Sequence, residues 1–236
     1  MTEVASLWDF ADPAASEERF RAAADVAEAQ ERVVLMTQVA RALGLQQRFD
    51  EGHAVLDDLS PVGEEAAVRI SLERGRLLRS AGDPDAAPAY FAAAAGSAGS
   101  AGLEALQVDA LHMLALVAPP DEQLEVNERA LAVARAARSP EARDWDASLL
   151  NNIGMVHAEA GDFEAALGSF QEALEARRRV GDHARTRVAR WMVGWALRNL
   201  GRREEAQAVQ QALRAELEAL GERDPYVDKE LALLQR

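Results

Sequence analysis

Residues 149–178 read LLNNIGMVHAEAGDFEAALGSFQEALEARR. Leu150, Ile153, Gly154 and His157 fall at the i, i+3, i+4, i+7 spacing of one helical face. Gly161 can adopt the left-handed conformation that ends a helix, and Asp162 suits the N-cap of the next. Phe163, Ala166, Leu167, Phe170, Ala173 and Leu174 then form a second apolar face at the same period. The stretch predicts two antiparallel helices joined by a tight turn. A lone hairpin cannot bury both apolar faces, so it needs stacked neighbours.

The spelling recurs. VRISLERGRLLRSAGDPDAAPAYFAAAA (68–95) carries Gly75, Leu78, the turn Gly82-Asp83-Pro84, then Ala87, Phe91 and Ala94, with Pro84 suited to a first helical turn. WMVGWALRNLGRREEAQAVQQAL (191–213) carries Gly194, Leu197, Gly201 and Ala206. Two weaker copies lie at 39–59, with Leu43, Phe49 and Leu56, and at 108–131, where Pro119-Pro120 replaces the glycine turn and Ala130 keeps the packing position. Turn points near Gln47, Gly82, Ala118, Gly161 and Gly201 lie 35 to 43 residues apart.

This pattern resembles the tetratricopeptide repeat (TPR), W-x2-L-G-x2-Y then A-x3-F then A around a glycine turn. Here the residues are Leu150, Ile153, Gly154, His157, Gly161, Ala166, Phe170 and Ala173, and Gln210 stands in the aromatic position of the last copy. The wider C-terminal spacing is similar to longer-helix variants of the repeat. The resemblance implies an all-α right-handed solenoid of about five hairpins, a single domain over 1–236. Repeats are expected at 33–61, 68–101, 104–137, 147–180 and 187–220. A capping half-repeat at 12–30, with Phe20 and Ala23, and a closing helix at 224–236 complete it, because terminal repeats face water on one side. AAAAGSAGSAG (92–102) reads as a frayed helix end and connector.

Composition narrows the function classes. Forty acidic residues against 26 basic give a net charge of −14, which repels phosphate backbones and argues against nucleic acid. Cysteine is absent, excluding disulfides and thiolate sites. No stretch has the ~20 apolar residues of a membrane span, and the start, MTEVASLWDF, lacks the pattern of a secretory signal. A cytoplasmic protein is expected. Lysine occurs only at 229 and alanine is abundant, as in GC-rich bacterial genomes.

The resemblance also implies that ligands lie in a concave groove lined by the first helices of successive repeats. Equivalent positions are Gln38 and Arg41; Arg69, Glu73 and Arg76; Asp109 and His112; Asn151, Asn152, Met155 and Glu159; and Trp191, Trp195, Arg198 and Asn199. By periodicity these side chains avoid the core. Arginine and tryptophan are common interface anchors, and asparagine can hold a peptide backbone. Trp191 and Trp195 share a helix face, either walling the groove or packing on the closing helix near Tyr226 and Leu231. Some families of the repeat clamp a chaperone's C-terminal carboxylate with lysine and asparagine. Asn152 fits one such asparagine, but Val188 and Met192 occupy the cationic positions, so that clamp is not reconstructed.

Asp109 and His112 are spaced for a carboxylate–imidazole contact, half of a general-base pair, but no nucleophile is identifiable beside them. His157 occupies a buried aromatic position and reads as a core histidine, and no histidine spacing suggests a metal. The run ARRRVGDHARTRVAR (176–190) holds six arginines against one aspartate, read as dipole compensation or a docking patch for an acidic partner. The expectation is therefore a non-catalytic adaptor without cofactor or metal, monomeric or dimeric, gripping a basic or amphipathic protein segment. The alternatives are a self-associating scaffold, and a small-molecule sensor or enzyme using Asp109 and His112.

Overall fold

The computed structural model describes residues 4–83 and 85–235. Pro84, read above as a first-turn proline, lies outside them. The chain divides into two compact units, residues 1–122 with 137–142 and residues 123–136 with 143–236.

The first unit opens with a 3-10 turn, Val4–Leu7, followed by α1 (Pro13–Asp25), α2 (Ala29–Leu45), α3 (Phe49–Asp57), α4 (Glu64–Ala81), α5 (Ala87–Ser100) and α6 (Glu104–Ala115). The second contains α7 (Gln123–Ala136), then, after the short α8 (Pro140–Arg143), α9 (Asp146–Glu159), α10 (Phe163–Val180), α11 (His183–Asn199), α12 (Arg203–Ala219) and α13 (Pro225–Leu234). Among the described residues there is no strand. Each helix packs on its chain neighbours within its unit, and α2 on α4, α4 on α6 and α11 on α13 pack across one intervening helix. In the first unit the first helices α2, α4 and α6 therefore stand side by side, and in the second α11 stands beside α13.

Local chemistry sets the turns. Gly161 sits at φ 81°, which a glycine adopts without a Cβ penalty. The Asp162 N–H then donates to His157 O at 2.9 Å, while the Asp162 side chain accepts from Ala165 N at 3.0 Å. One helix is closed and the next capped within two residues, the cap contributing about 1 kcal/mol. The same loop closes α11, with Gly201 at φ 76° and Arg202 N donating to Leu197 O at 2.9 Å. It also closes α2, where Arg48 N donates to Leu43 O at 3.0 Å, but there the left-handed residue is Gln47, at φ 62°.

Packing repeats with the turns. Phe91 and Phe170 are fully buried, and each ring fills the space where a Cβ on Gly75 or Gly154 would lie. Burying such a ring is worth roughly 1.5–3 kcal/mol, and only glycine admits the helix approach that achieves it. The expected fraying at 92–102 does not occur. The helix α5 runs to Ser100, with Ala94, Ala95 and Ala98 buried. Its small residues let a neighbour approach: a Cβ on Gly99 would be 2.7 Å from Gln107 Nε2 on α6. His157 is only half-buried, not a core residue, because α9 turns its last polar positions toward solvent.

Candidate functional site

In the first unit the expected groove positions come from α2, α4 and α6. Arg76 is the hub: Nη2 donates to Asp109 Oδ1 at 2.5 Å and Nη1 donates to Glu73. Arg76 and Asp109 each expose 12% of the side chain and Glu73 exposes 2%. Burial pushes the Arg76 pKa down, but the two carboxylates outweigh it and raise it above the ordinary value, so the guanidinium is firmly protonated. Gln38, Glu73 and Asp109 thus do not avoid the core. They are buried, because side-by-side first helices close over residues on their shared seam. Arg69 is paired with Glu65 at 2.8 Å.

His112 lies close by on α6, and burial lowers its pKa; Arg76 and Arg79 act in the same direction and the charge of Asp109 opposes them. The imidazole is therefore biased to neutrality. Asp109, its expected partner in a general-base pair, directs a carboxylate oxygen to Arg76.

Arg41 is placed differently. Its guanidinium carbon lies 5.5 Å from the centre of the Trp8 ring and 5.7 Å from that of Phe10. Those two rings are stacked at 4.8 Å and 2°, and Trp8 also meets Phe20 edge-on at 5.0 Å. Trp8 Nε1 donates to Gln38 Oε1 at 3.2 Å, while Arg19 Nε donates to Leu7 O at 2.9 Å. The segment before α1 is thereby fastened across Gln38 and Arg41. Sequence reasoning missed Trp8 and Phe10; the available signal was a W-x-F pair just ahead of the Asp12-Pro13 helix start. Desolvation lowers the pKa of Arg41, with Arg76 and Arg69 adding to the effect and Glu73 and Asp109 opposing it.

In the second unit α9 supplies Asn151, Asn152, Met155 and Glu159, and α11 supplies Trp191, Trp195 and Arg198. Trp191 and Trp195 stack at 6.4 Å and 10°. Trp191 also meets Tyr226 of α13 edge-on at 6.2 Å, and Trp195 meets Phe163 at 5.4 Å. Both tryptophans remain partly exposed, as does Met155, which packs against the same core cluster, and Glu159 is exposed. Asn152 Nδ2 and Trp191 Nε1 are buried without a hydrogen-bond partner among the described residues. Arg198 is committed to the closing helix, donating to both oxygens of Glu230 at 2.6 and 3.1 Å. Asn199 donates to Trp195 O at 2.9 Å.

The arginine run does not form an open basic patch. Arg178, Arg179, Arg185, Arg187 and Arg190 meet Glu175, Asp146, Asp182, Glu222 and Glu216, and Arg177 donates to Ser148. Among the described residues no cluster of His, Asp or Glu is arranged to hold a metal, and no helix is long and apolar enough to cross a membrane.

Residues 145–215 match the tetratricopeptide repeat family. No curated protein matches the chain. Among solved structures, apo RapI is similar at TM-score 0.73 and 12% identity, over 98% of this chain and 68% of that one. BtubC (BKLC) from P. vanneervenii is similar at TM-score 0.64 and 18% identity, over 95% of both chains. NprR in complex with its cognate peptide NprX is similar at TM-score 0.56 and 15% identity, over 95% of this chain and 66% of that one. The likeness is one of fold. The chain has the all-α helical-repeat fold of tetratricopeptide proteins, and the match to the family in sequence covers residues 145–215.

Proposed function

We propose that this chain is a non-catalytic module that binds a peptide or protein segment along the first helices of its repeats. One observation carries the reading: in the second unit, Asn152 Nδ2 on α9 and Trp191 Nε1 on α11 are buried donors without acceptors among the described residues, and α11 also presents the partly exposed rings of Trp191 and Trp195. A buried unpaired donor costs roughly 1–3 kcal/mol. A ligand carbonyl would recover that cost while its side chains cover the aromatic surface. NprR, similar in fold, is known with its cognate peptide bound. In this reading the protein acts in the cytoplasm as an adaptor without cofactor, as a monomer or homodimer, and the engagement of Asp109 by Arg76 disfavours a general-base role.

The test compares wild type with Asn152→Ala/Trp191→Leu as baits in a lysate of the source organism, with circular dichroism to verify equal helicity. A protein retained by wild type and lost by the variant supports the reading, whereas equal recovery overturns it. Val188 and Tyr226, 59% and 65% exposed, support self-association as a second reading. A mass that rises with concentration in light scattering would favour it.

A further inference from the structure

We propose that the first unit carries a docking site for a cationic, apolar-anchored segment of a partner protein, built around Leu59 at the end of α3. The site shares no residue with the expected groove positions and does not rest on the peptide-binding reading. The helix α3 stops after 9 residues, whereas α1 and α5, the preceding and following second helices of the repeat, run for 13 and 14. The shortfall is roughly 6–8 Å of helix. The loop that follows does not replace it: Ser60, Pro61 and Val62 are exposed and make no hydrogen bond among the described residues. Two hollows flank the loop and share half-buried Leu59. One, of about 430 Å³, has Ala24, Val33 and Met36 beside Leu59 and is bordered by Val62. The other, of about 370 Å³, is lined by Leu56, Pro61, Ile70 and Tyr90. Both fall in the size range of ligand pockets.

Charge identifies the occupant. Asp25 and Asp58 line the larger hollow, are exposed, and have side chains with no ion pair or hydrogen bond among the described residues. The cation beside them is committed elsewhere: Arg32 Nε donates to Ala24 O and Nη2 to Ala27 O, both at 3.0 Å, closing the end of α1. In the smaller hollow Arg74 is paired with Asp57 at 2.7 Å. The two free carboxylates therefore await a lysine or arginine from outside, while the hollows accept its apolar neighbours. Exposed ion pairs add little affinity, but they discriminate among partners that the apolar floor alone would admit. Two copies of the chain paired face to face would set Asp25 and Asp58 against themselves. Anionic lipid and nucleic-acid phosphate are repelled for the same reason. A basic amphipathic protein segment satisfies both the hollows and the carboxylates.

The test passes full-length protein over immobilised pools of randomised dodecapeptides that fix two leucines and flank them with lysines, with serines or with glutamates. Wild type should favour the lysine pool over the serine pool by roughly tenfold, the effect of two exposed ion pairs. Asp25→Lys/Asp58→Lys, which alters exposed positions only, should reverse the order in favour of the glutamate pool. Val62→Ser should lower retention on every pool, with circular dichroism verifying equal helicity. No retention, or an order unchanged by the charge reversal, overturns the proposal. Asn152→Ala/Trp191→Leu should retain the lysine pool as wild type does; loss there would assign the peptides to the second unit, overturning this site and leaving the groove reading standing. A mass that rises with concentration in wild type but not in Val62→Ser would assign the hollows to a second copy. Flotation with phosphatidylglycerol vesicles, lost in Val62→Ser, would assign them to a membrane, and either result overturns the proposal.

Discussion

Gln210 stands to Gly194 as Phe91 stands to Gly75. Its Nε2 lies 2.5 Å from where a Cβ on Gly194 would be, and Phe91 Cε1 lies 2.5 Å from the corresponding point on Gly75. An amide has thus replaced an aromatic ring at a fully buried packing position. Gln210 Nε2 donates weakly to Trp191 O at 3.3 Å, and Oε1 has no partner among the described residues.

Gln210→Met keeps the shape and removes the orphaned oxygen. It is expected to raise stability by about 1 kcal/mol, the desolvation cost exceeding one long hydrogen bond. The urea midpoint of unfolding measures it, and a lower midpoint would show that the amide is satisfied in solution.

The glycines facing the rings should be intolerant. Gly154→Ala drives a methyl into Phe170 and is expected to cost about 1–3 kcal/mol. Gly168, in the middle of α10, has nothing within 4 Å of its Cβ direction. There the same substitution should stabilise by about 0.5–1 kcal/mol through helix propensity. Opposite shifts in melting temperature are the signature; equal shifts would mean the approach of α9 and α10 is looser than described.

Gln47→Gly should stabilise the first unit. A left-handed non-glycine backbone costs about 1–2 kcal/mol, and glycine recovers this less its own unfolded-state entropy, a net gain of roughly 0.5–1 kcal/mol. Thermal denaturation against Gln47→Ala, which keeps the strain, isolates the backbone effect.

His112 should make the fold acid-sensitive in the range of imidazole titration. Its folded pKa lies below the ordinary value of 6.5, so below that pH the unfolded chain takes up a proton that the folded chain resists. Its contribution is therefore constant above pH 6.5 and turns progressively unfavourable as pH falls through the window beneath. The urea midpoint, followed from pH 8 downward, should decline there in wild type and stay flatter in His112→Gln. Parallel profiles would remove His112 as the cause.

The hairpins were legible because their determinants are local. Gly161, Asp162 and the Gly154–Phe170 pair lie within one turn or one hairpin of each other, so spacing alone reveals them. The candidate sites were less legible because their chemistry is assembled from distant segments. Arg76 could be placed on the inner face from its position in the repeat, but its commitment to Asp109 joins residues 33 apart. Arg198 looked available until α13 brought Glu230 to it. Trp8 and Phe10 precede the first repeat altogether, where no periodicity points at Arg41. At 92–102 a composition typical of a linker was overridden by tertiary packing, since alanine forms helix readily and α6 needs small neighbours.

The side-by-side order of the helices also bears on how the chain is made. Within each unit the helices rest mainly on those near them in sequence, so contacts close over short loops and topology imposes little delay. During synthesis α1 and α2 can dock while α4 is still being translated, and later hairpins add to an existing face. Pulled from its ends, such a chain should surrender in several small steps rather than one, the glycine-rimmed α9–α10 hairpin marking one of the discrete lengths released.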